Sequence, residues 1–558
     1  MIRKKRLAFS NIREKHLSEE KGAIYKRSFR HRFALGFPNT YEVGMSNLGF
    51  QTIYKLFNQR EEIFCERFFL FDYHPRRGVR TIESNLPLRN FSVVAFSVPY
   101  ELDYLNVLKL LRLSGIPLKS SDRGEKHPLV IGGGVALTLN PETMADFFDL
   151  IFIGEAEPTL GKFIQTYMRC FDSRLTKNDM LLELSKVEGV YVPQFYTPTY
   201  QKDGWLEKIL PAKYVPQRIK TNKADLTEFQ TYSMIVSPHT HFKDTFLVEV
   251  GRGCRRGCRF CAAGFIYKPH RFHTSSSIIE QAEAHSKGMK NIGLVGSLIS
   301  DLPYLEKIAL KLHQMDFKIG ISSFRPEKVS RNFLNILVKS GLKSLTIAPE
   351  VATPRMWSII NKGINREDVL KCAEIASEFD LSNLKLYFII GLPFEKNEDI
   401  KAIPNLVKEI SQTYFKKDKK RKKITLSVNP FVPKAYTPFQ WFPMNREAEL
   451  KSKMKIISDG IKSLKGVHLD KKSIRQAILQ GILSMGNKKI GQGLYYHLNE
   501  GLPFAKAWQK AGIDVSRFIF QEKALDTFFP WNIIETEVKK SLLIREYRNV
   551  NKIASERR

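Results

Sequence analysis

The sequence predicts an α/β protein in three parts: a doubly wound parallel sheet, an incomplete TIM-like barrel of six strand–helix units, and a mostly helical C-terminal region. Three observations carry this. Short apolar runs of strand length alternate with stretches of helical spacing from residue 32 to residue 441, the pattern of parallel sheets covered by helices. The alternation breaks once, over residues 171–243, where polar and proline-containing stretches separate two bodies. Past residue 441 helical stripes take over, as at Ile474, Ile478, Ile482 and Met485. The expected boundaries are 1–215 for the first domain with its extension, 216–243 for a linker, 244–441 for the barrel and 442–558 for the helical part.

In the first body, Arg32–Phe37 reads as a strand, followed by helical spacing at Met45, Leu48, Ile53, Leu56 and Phe57. Further apolar runs lie at Val93–Val98, Leu129–Ile131 and Leu150–Ile153. Each precedes a helix-like segment, at Leu102–Leu113, Pro141–Phe148 and Pro158–Tyr167. Ligands of such sheets bind beyond the C-terminal ends of the strands. The loops there carry Gly44, Ser97, Gly132, Gly133, Gly134 and Gly154. Tyr191–Tyr200 and Trp205–Val215 read as a hairpin, and Ser237-Pro-His-Thr-His241 as a turn with structural histidines.

In the second body, predicted strands begin near Thr245, Asn291, Lys318, Ser344, Asn383 and Ile424. Helical segments such as Leu302–Met315, Asn332–Lys339 and Arg366–Phe379 separate them. After the first of these strands comes Gly253-Cys254-Arg255-Arg256-Gly257-Cys258-Arg259-Phe260-Cys261, with three of the six cysteines spaced C-x3-C-x2-C. Thiolates hold iron–sulfur clusters, and a cubane needs four ligands. Three cysteines leave one iron open for a substrate. A zinc knuckle completed by His270 or His273 is the competing reading, although zinc sites usually show paired C-x2-C motifs. Six scattered cysteines do not make a disulfide framework. In a TIM-like barrel, sites gather at the C-terminal strand ends. That places Cys254–Cys261, Gly296, Ser297, Arg325, Glu350 and Gly391 around one mouth.

The chain carries 89 Lys and Arg against 57 Asp and Glu, a net charge of +32. Such an excess fits a polyanionic partner, with RNA first, and equally a solvated lysine-rich surface. The densest run is Lys416–Lys423. No apolar run is long enough to span a membrane, and the basic N-terminus lacks a signal-peptide core, so a cytoplasmic protein is expected.

The cysteine triplet, with Phe260 before its last member, resembles the signature of the radical S-adenosylmethionine (SAM) enzymes. Gly296-Ser297, Thr346–Glu350, Leu386–Pro393 and Ser427–Lys434 resemble that superfamily's later strands, in order, over roughly residues 240–440. The first body is similar to the Rossmann-like, cobalamin (B12)-binding-type domain that precedes the barrel in one branch. The carriers there are Pro128–Gly134, Asn140-Pro-Glu142 and Phe148–Glu155. The resemblance implies a [4Fe–4S] cluster on Cys254, Cys258 and Cys261. It implies SAM contacts from Phe260, Gly296, Ser297, Arg325, Glu350 and Gly391, with an ion pair between Glu350 and Arg325 as the alternative reading. Cobalamin is implied at Gly44, Ser97, Gly132–Gly134 and Gly154. The implied activity is a 5′-deoxyadenosyl radical turned on an RNA or protein, with cobalamin-linked methylation first. An electron donor such as flavodoxin or ferredoxin goes with it. Methylthiolation of tRNA and a non-catalytic sensor are the alternatives. Those methylthiolating enzymes carry a second cluster on three N-terminal cysteines, whereas only Cys65 and Cys170 precede the triplet here. Many B12 domains also place a cobalt-binding histidine in an Asp-x-His-x-x-Gly loop. The corresponding loop, Asn39-Thr-Tyr-Glu-Val-Gly44, has none, and His74 reads as an ordinary loop histidine.

Overall fold

The structure, a computed structural model, describes residues 12–71, 78–202, 205–286, 288–416 and 422–556. His74 and the centre of the Lys416–Lys423 run lie outside the described residues. Contacts gather the chain into two compact units. The first comprises residues up to Thr245 with Ile482–Phe518 and Asp526–Thr536; the second comprises Phe246–Gly481, Ile519–Leu525 and Glu537–Arg558. The stretch 442–558, read from the sequence as one helical part, is thus divided between them.

The first unit is built on β1 (His31–Phe37), β2 (Ile63–Phe69), β3 (Val93–Ser97), β4 (Leu129–Gly133), β5 (Leu150–Phe152) and β6 (Val190–Tyr191). They form one sheet in the order β2-β1-β3-β4-β5-β6. The first five run parallel and β6 runs antiparallel to β5. These strands are buried almost throughout, as expected of a parallel sheet covered on both faces. The chain passes from β1 outward to β2 and returns to β3 on the other side. This makes a topological switch point at the C-terminal ends of β1 and β3. The helix Leu48–Asn58 starts where the Asn47 side chain accepts from the Phe50 N–H, and it packs Phe50, Tyr54 and Phe57 on the sheet.

Three expectations need correction here. Strand β2 was missed, because Ile-Phe-Cys-Glu-Arg-Phe-Phe carries two charges in its middle. Both are neutralised inside: Arg67 lies between Glu20 and Glu83, and Glu66 pairs with Arg32. The helix expected at Pro141–Phe148 is instead the short helix Val135–Leu139 and a 3-10 turn at Ala145–Phe147. Pro141 forces Asn140 into an extended conformation and ends the helix before it. Residues 216–243 are more than a linker. β7 (Tyr196–Tyr200) and β8 (Leu206–Pro211) make the expected hairpin, and β9 (Ile219–Lys220) pairs in parallel with Ile534–Glu535.

The second unit contains β10 (Thr245–Arg252), β11 (Arg271–Phe272), β12 (Asn291–Gly296) and β13 (Lys318–Ile321), in the order β11-β10-β12-β13. It continues with β14 (Ser344–Glu350), β15 (Asn383–Ile390), β16 (Lys423–Pro430) and β17 (Val467–Lys471), in that order. A parallel bridge between Phe324 and Ile347 joins the two sheets. The six expected strands are all present, and β17 extends the row, parallel to β16, inside a region expected to be largely helical. In β14 and β15 fully buried residues (Leu345, Ile347, Leu384, Leu386, Phe388) alternate with half-buried ones (Thr346, Lys385, Tyr387). Such alternation sends the two sets to opposite faces of the strands, which are followed in the chain by the helices Arg366–Ser377 and Asn397–Tyr414.

Candidate active site

The three cysteines follow directly from β10. The turn out of that strand needs Gly253, at φ +86°, because a Cβ there would stand 2.4 Å from the Tyr267 carbonyl oxygen. The loop is then fastened from several sides. Arg255 and Arg256 both bind Asp301, just past β12, at 2.9 and 2.8 Å. The Asn361 amide donates to the Gly257 carbonyl at 3.0 Å. The Arg259 N–H donates to Ile360, and its buried guanidinium donates to the carbonyls of Ser358 (2.7 Å) and Ile359 (2.9 Å) while pairing with Glu546 (2.9 Å). Cys258 is buried, and Cys254 and Cys261 are half-buried. Burial raises the Cys258 thiol above its ordinary pKa, against the pull of Lys362 and Arg325, and pushes Cys261 up to about 11.

The other residues expected at the mouth stand at the C-terminal strand ends. Gly296 closes β12, where a Cβ would lie 3.0 Å from the Gly251 carbonyl oxygen and 3.2 Å from Val250, so close strand packing already requires a glycine. Ser297 follows it, and Phe260 is half-buried beside Cys261. Glu350 ends β14 after a register shift, at φ +67°, a left-handed conformation unfavourable for a side chain-bearing residue. Its carboxylate binds Lys362 at 2.9 Å. This corrects the expected pairing with Arg325. The Arg325 guanidinium binds Glu327 and donates to the carbonyls of Lys362 (2.7 Å) and Gly363 (3.2 Å), so it holds the loop after the helix Pro354–Ile360. Gly391, at φ +79°, packs where a Cβ would meet Leu450 at 2.8 Å, and its N–H donates to Glu395. Sequence reasoning missed Lys362, Asp301, Asn361 and Arg259. Their partners lie far away in the chain, and only the basic character of the triplet loop hinted at them.

A single zinc ion would require its ligands to converge on one point. Among the described residues no three His, Cys, Asp or Glu side chains do so. His273 is buried beside Glu249, at 3.8 Å, and His270 stacks edge-on against Phe272. Three thiols on a pre-shaped loop, flanked by Lys362 and Arg325, fit an anionic cluster.

In the first unit the glycines expected at cobalamin lie close to other parts of the chain. A Cβ at Gly44 would meet Phe69 at 2.5 Å, at Gly132 Leu137 at 2.9 Å, at Gly134 the Val98 carbonyl oxygen at 2.6 Å, and at Gly154 the Asn222 backbone at 2.7 Å. Only Gly133 meets an ordinary contact, Phe152 at 3.5 Å. Ser97 is half-buried at the end of β3. The switch point is bridged by Asn39, which donates to Asp103 (2.9 Å), and by Asn106, which donates to the Pro38 carbonyl (3.0 Å). Tyr41, in the loop after β1, is buried, with its hydroxyl donating to Glu20. Asn140 and Thr143 hold the backbone of Leu483, Ser484 and Gly486. Packing inside the unit thus already requires a glycine at Gly44, Gly132, Gly134 and Gly154.

A three-cysteine loop on the rim of a parallel partial barrel is the arrangement of an iron–sulfur enzyme with one open iron. The chain is a radical SAM protein: the model of the radical SAM superfamily matches residues 248–407, and that of the N-terminal domain of radical SAM proteins matches residues 49–193. An uncharacterized protein of Methanocaldococcus jannaschii is 27% identical over 470 residues, 84% of this chain and 91% of that protein. An uncharacterized methyltransferase of Pyrococcus horikoshii is 27% identical over 52% of this chain and 60% of its own length. The ribosomal protein uS12 methylthiotransferase RimO of Hydrogenobaculum sp. is 24% identical over 42% of this chain and 60% of its own. Among solved structures, the radical SAM methyltransferase TsrM of Kitasatospora setae, with cobalamin and a [4Fe-4S] cluster bound, has the same fold. Its TM-score is 0.51 at 12% identity, covering 87% of this chain and 99% of that one. No helix among the described residues is long and apolar enough to cross a membrane.

Proposed function

We propose that this chain cleaves SAM reductively and uses the resulting radical to modify an RNA or a protein. The carrying observation is the cysteine loop, held in shape by Asp301, Asn361 and Glu546 at the strand ends of the barrel. Cys254, Cys258 and Cys261 would hold a [4Fe–4S] cluster. When bound, that cluster supplies the electron that splits the sulfonium–carbon bond of SAM. The remaining work belongs to this chain. Gly296 and Ser297 would border the methionine end of SAM, with Phe260 and Gly391 beside it. Glu350, in a left-handed conformation and paired with Lys362, would accept from the SAM amino group. A reductant of the flavodoxin or ferredoxin class and a cytoplasmic setting go with this chemistry. The net charge of +32 and the relatedness to a methylthiotransferase of a ribosomal protein support a macromolecular substrate.

A second reading, cobalamin-linked methyl transfer, is supported by the shared fold of the cobalamin-bound methyltransferase. The loops carrying Gly44, Ser97, Gly132–Gly134 and Gly154 would be its place, and no step is routed through it. Methylthiolation has less support. Cys65 and Cys170 are both fully buried, and Cys65 is part of the apolar core. The test is anaerobic reconstitution with iron and sulfide, then dithionite and SAM. The proposal expects 5′-deoxyadenosine and methionine from the wild type and none from Cys258→Ala. A fully loaded cluster that never cleaves SAM, with or without cellular RNA or protein, would instead point to a sensor. Retention of hydroxocobalamin after gel filtration decides the second reading.

A further inference from the structure

We propose that the foot of the barrel is an RNA-binding surface: a row of exposed lysines at the N-terminal ends of the strands from β12 to β17 that grips the phosphate backbone. It rests on the reading above for what is done to the RNA, and on the strand ends alone for how the RNA is held. Register puts these lysines side by side. Lys290 stands just before β12, and its carbonyl accepts at 2.7 Å from the N–H of Lys318, which opens β13. The stem of Lys318 lies over Gly341, where an added Cβ would stand 3.7 Å from its Cγ and Cδ. Two residues on, Lys343 precedes β14, and its carbonyl accepts from the N–H groups of Ser382 and Asn383 at the start of β15. Lys423 opens β16 opposite Asn383, and its N–H donates to the Ser382 carbonyl at 3.0 Å. The Ile424 N–H donates to Gly466, which lies between Lys465 and the start of β17. Lys290, Lys318, Lys343, Lys423 and Lys465 are all exposed. At about 4.8 Å per strand, the row runs roughly 24 Å along the arc from β12 to β17.

One sign of charge dominates this end. In the three residues before each of these strands, the carboxylates among the described residues are Asp316 and Asp380, and Asp380 is taken by Lys343 at 3.0 Å. Lys290, Lys318, Lys423 and Lys465 make no ion pair among the described residues. Ordinary soluble surfaces interleave the two signs. Protein interfaces are depleted of lysine and built on aromatic anchors. The exposed large apolar side chains of this unit, Leu310 and Phe394, lie elsewhere, in the helix Leu305–Gln314 and beyond the C-terminal end of β15. Lysines without an apolar anchor recognise a partner by charge, which is how proteins hold nucleic-acid phosphates. Lys318 and Lys343 also follow closely on the helices Leu305–Gln314 and Arg331–Lys339, whose C-terminal ends favour cations. That role alone would add stability and leave RNA unbound.

The test is fluorescence anisotropy of a labelled single-stranded oligouridine with the reconstituted full-length protein, without SAM or reductant, over a range of salt. Each phosphate neutralised adds about 0.7 to the slope of log affinity against log salt. Replacing Lys290, Lys318, Lys423 and Lys465 together by Gln should therefore flatten that slope by about 2.8. Between about 50 and 200 mM salt, the variant should lose roughly fiftyfold less affinity than the wild type. A control with Gln at four exposed lysines of the first unit, Lys162, Lys208, Lys213 and Lys506, should keep the wild-type slope. Equal flattening in both variants would mean diffuse surface charge, and an unchanged slope at the foot would leave these lysines only their helices. Either overturns the proposal, as does a wild type that ignores the RNA and binds polyglutamate instead. If the fourfold variant does not fold, Lys423→Gln and Lys465→Gln should each flatten the slope by about 0.7, and no change in either overturns it. Release of 5′-deoxyadenosine is read separately, so failure of the SAM reading is seen apart from failure of this surface.

Discussion

Arg259→Ala tests how the cysteine loop is held. The guanidinium binds two main-chain carbonyls and the Glu546 carboxylate, and Arg259 is 6% exposed. Removing it leaves a mostly buried carboxylate and two buried carbonyls without that donor. Breaking a buried pair from one side costs about 3–5 kcal/mol. The Glu546 side chain is 19% exposed, so water can reach it and the lower end, about 3 kcal/mol, applies. For a body of about 150–250 residues each kcal/mol moves Tm by about 2–4 °C, giving a drop of roughly 6–12 °C. Scanning calorimetry of the cluster-free full chain reads this directly, before iron chemistry enters. The double variant Arg259→Met with Glu546→Leu should recover much of the loss, because it removes the stranded charge. A transition unmoved by more than about 1 °C in Arg259→Ala would show that the clamp contributes nothing and that its geometry is incidental.

Three further outcomes are expected. Iron and sulfide analysis after reconstitution should find the cluster abolished by Ala at Cys254, Cys258 or Cys261 and intact in Cys65→Ala, Cys170→Ala and Cys372→Ala, whose thiols are buried in the fold. Gly134→Ala, at φ +112° and 2.6 Å from the Val98 carbonyl oxygen, should lower stability in urea by about 3 kcal/mol; an unchanged midpoint would show that the loop yields freely. Burial lowers the Lys523 ammonium from 10.5 to about 8. The folded state thus gives up its proton first, and stability should rise by about 3 kcal/mol as pH climbs from the folded to the unfolded value. Lys523→Met should be more stable at pH 7 and lose that rise; equal pH profiles would refute the assignment.

The parallel strands were legible because a strand buried on both faces leaves an apolar run that helices of different period must separate. The six barrel strands, buried on one face in β14 and β15, were still legible as short apolar-rich runs between helical segments. β17 was not, since Val-His-Leu-Asp-Lys is half polar and lies at the edge of the row. β2 was hidden for another reason: Glu66 and Arg67 are charged yet buried, which only their distant partners make possible. At the site, the cysteines announced themselves by spacing, but the groups that hold them did not. Lys362 is 12 residues from Glu350, Asp301 is 45 from Arg256, and Glu546 is 287 from Arg259. No local pattern links such pairs. Glycines carry a second meaning that the sequence alone does not separate. At Gly44, Gly132, Gly134 and Gly154 they read as room for a ligand, and the sequence did not show that each also makes room for a neighbouring part of this chain.

The direction of β16 bears on how a charged substrate would meet the cysteine loop. Lys423 opens that strand and Pro430 ends it. Lys465 precedes Gly466, whose carbonyl accepts from the Ile424 N–H, so these lysines gather at the foot of the barrel. The cysteine loop and Glu350 are at the rim. Eight residues at about 3.3 Å each separate foot from rim by roughly 25 Å. A molecule that touched both these lysines and the cysteine loop would therefore have to reach about 25 Å along the strand.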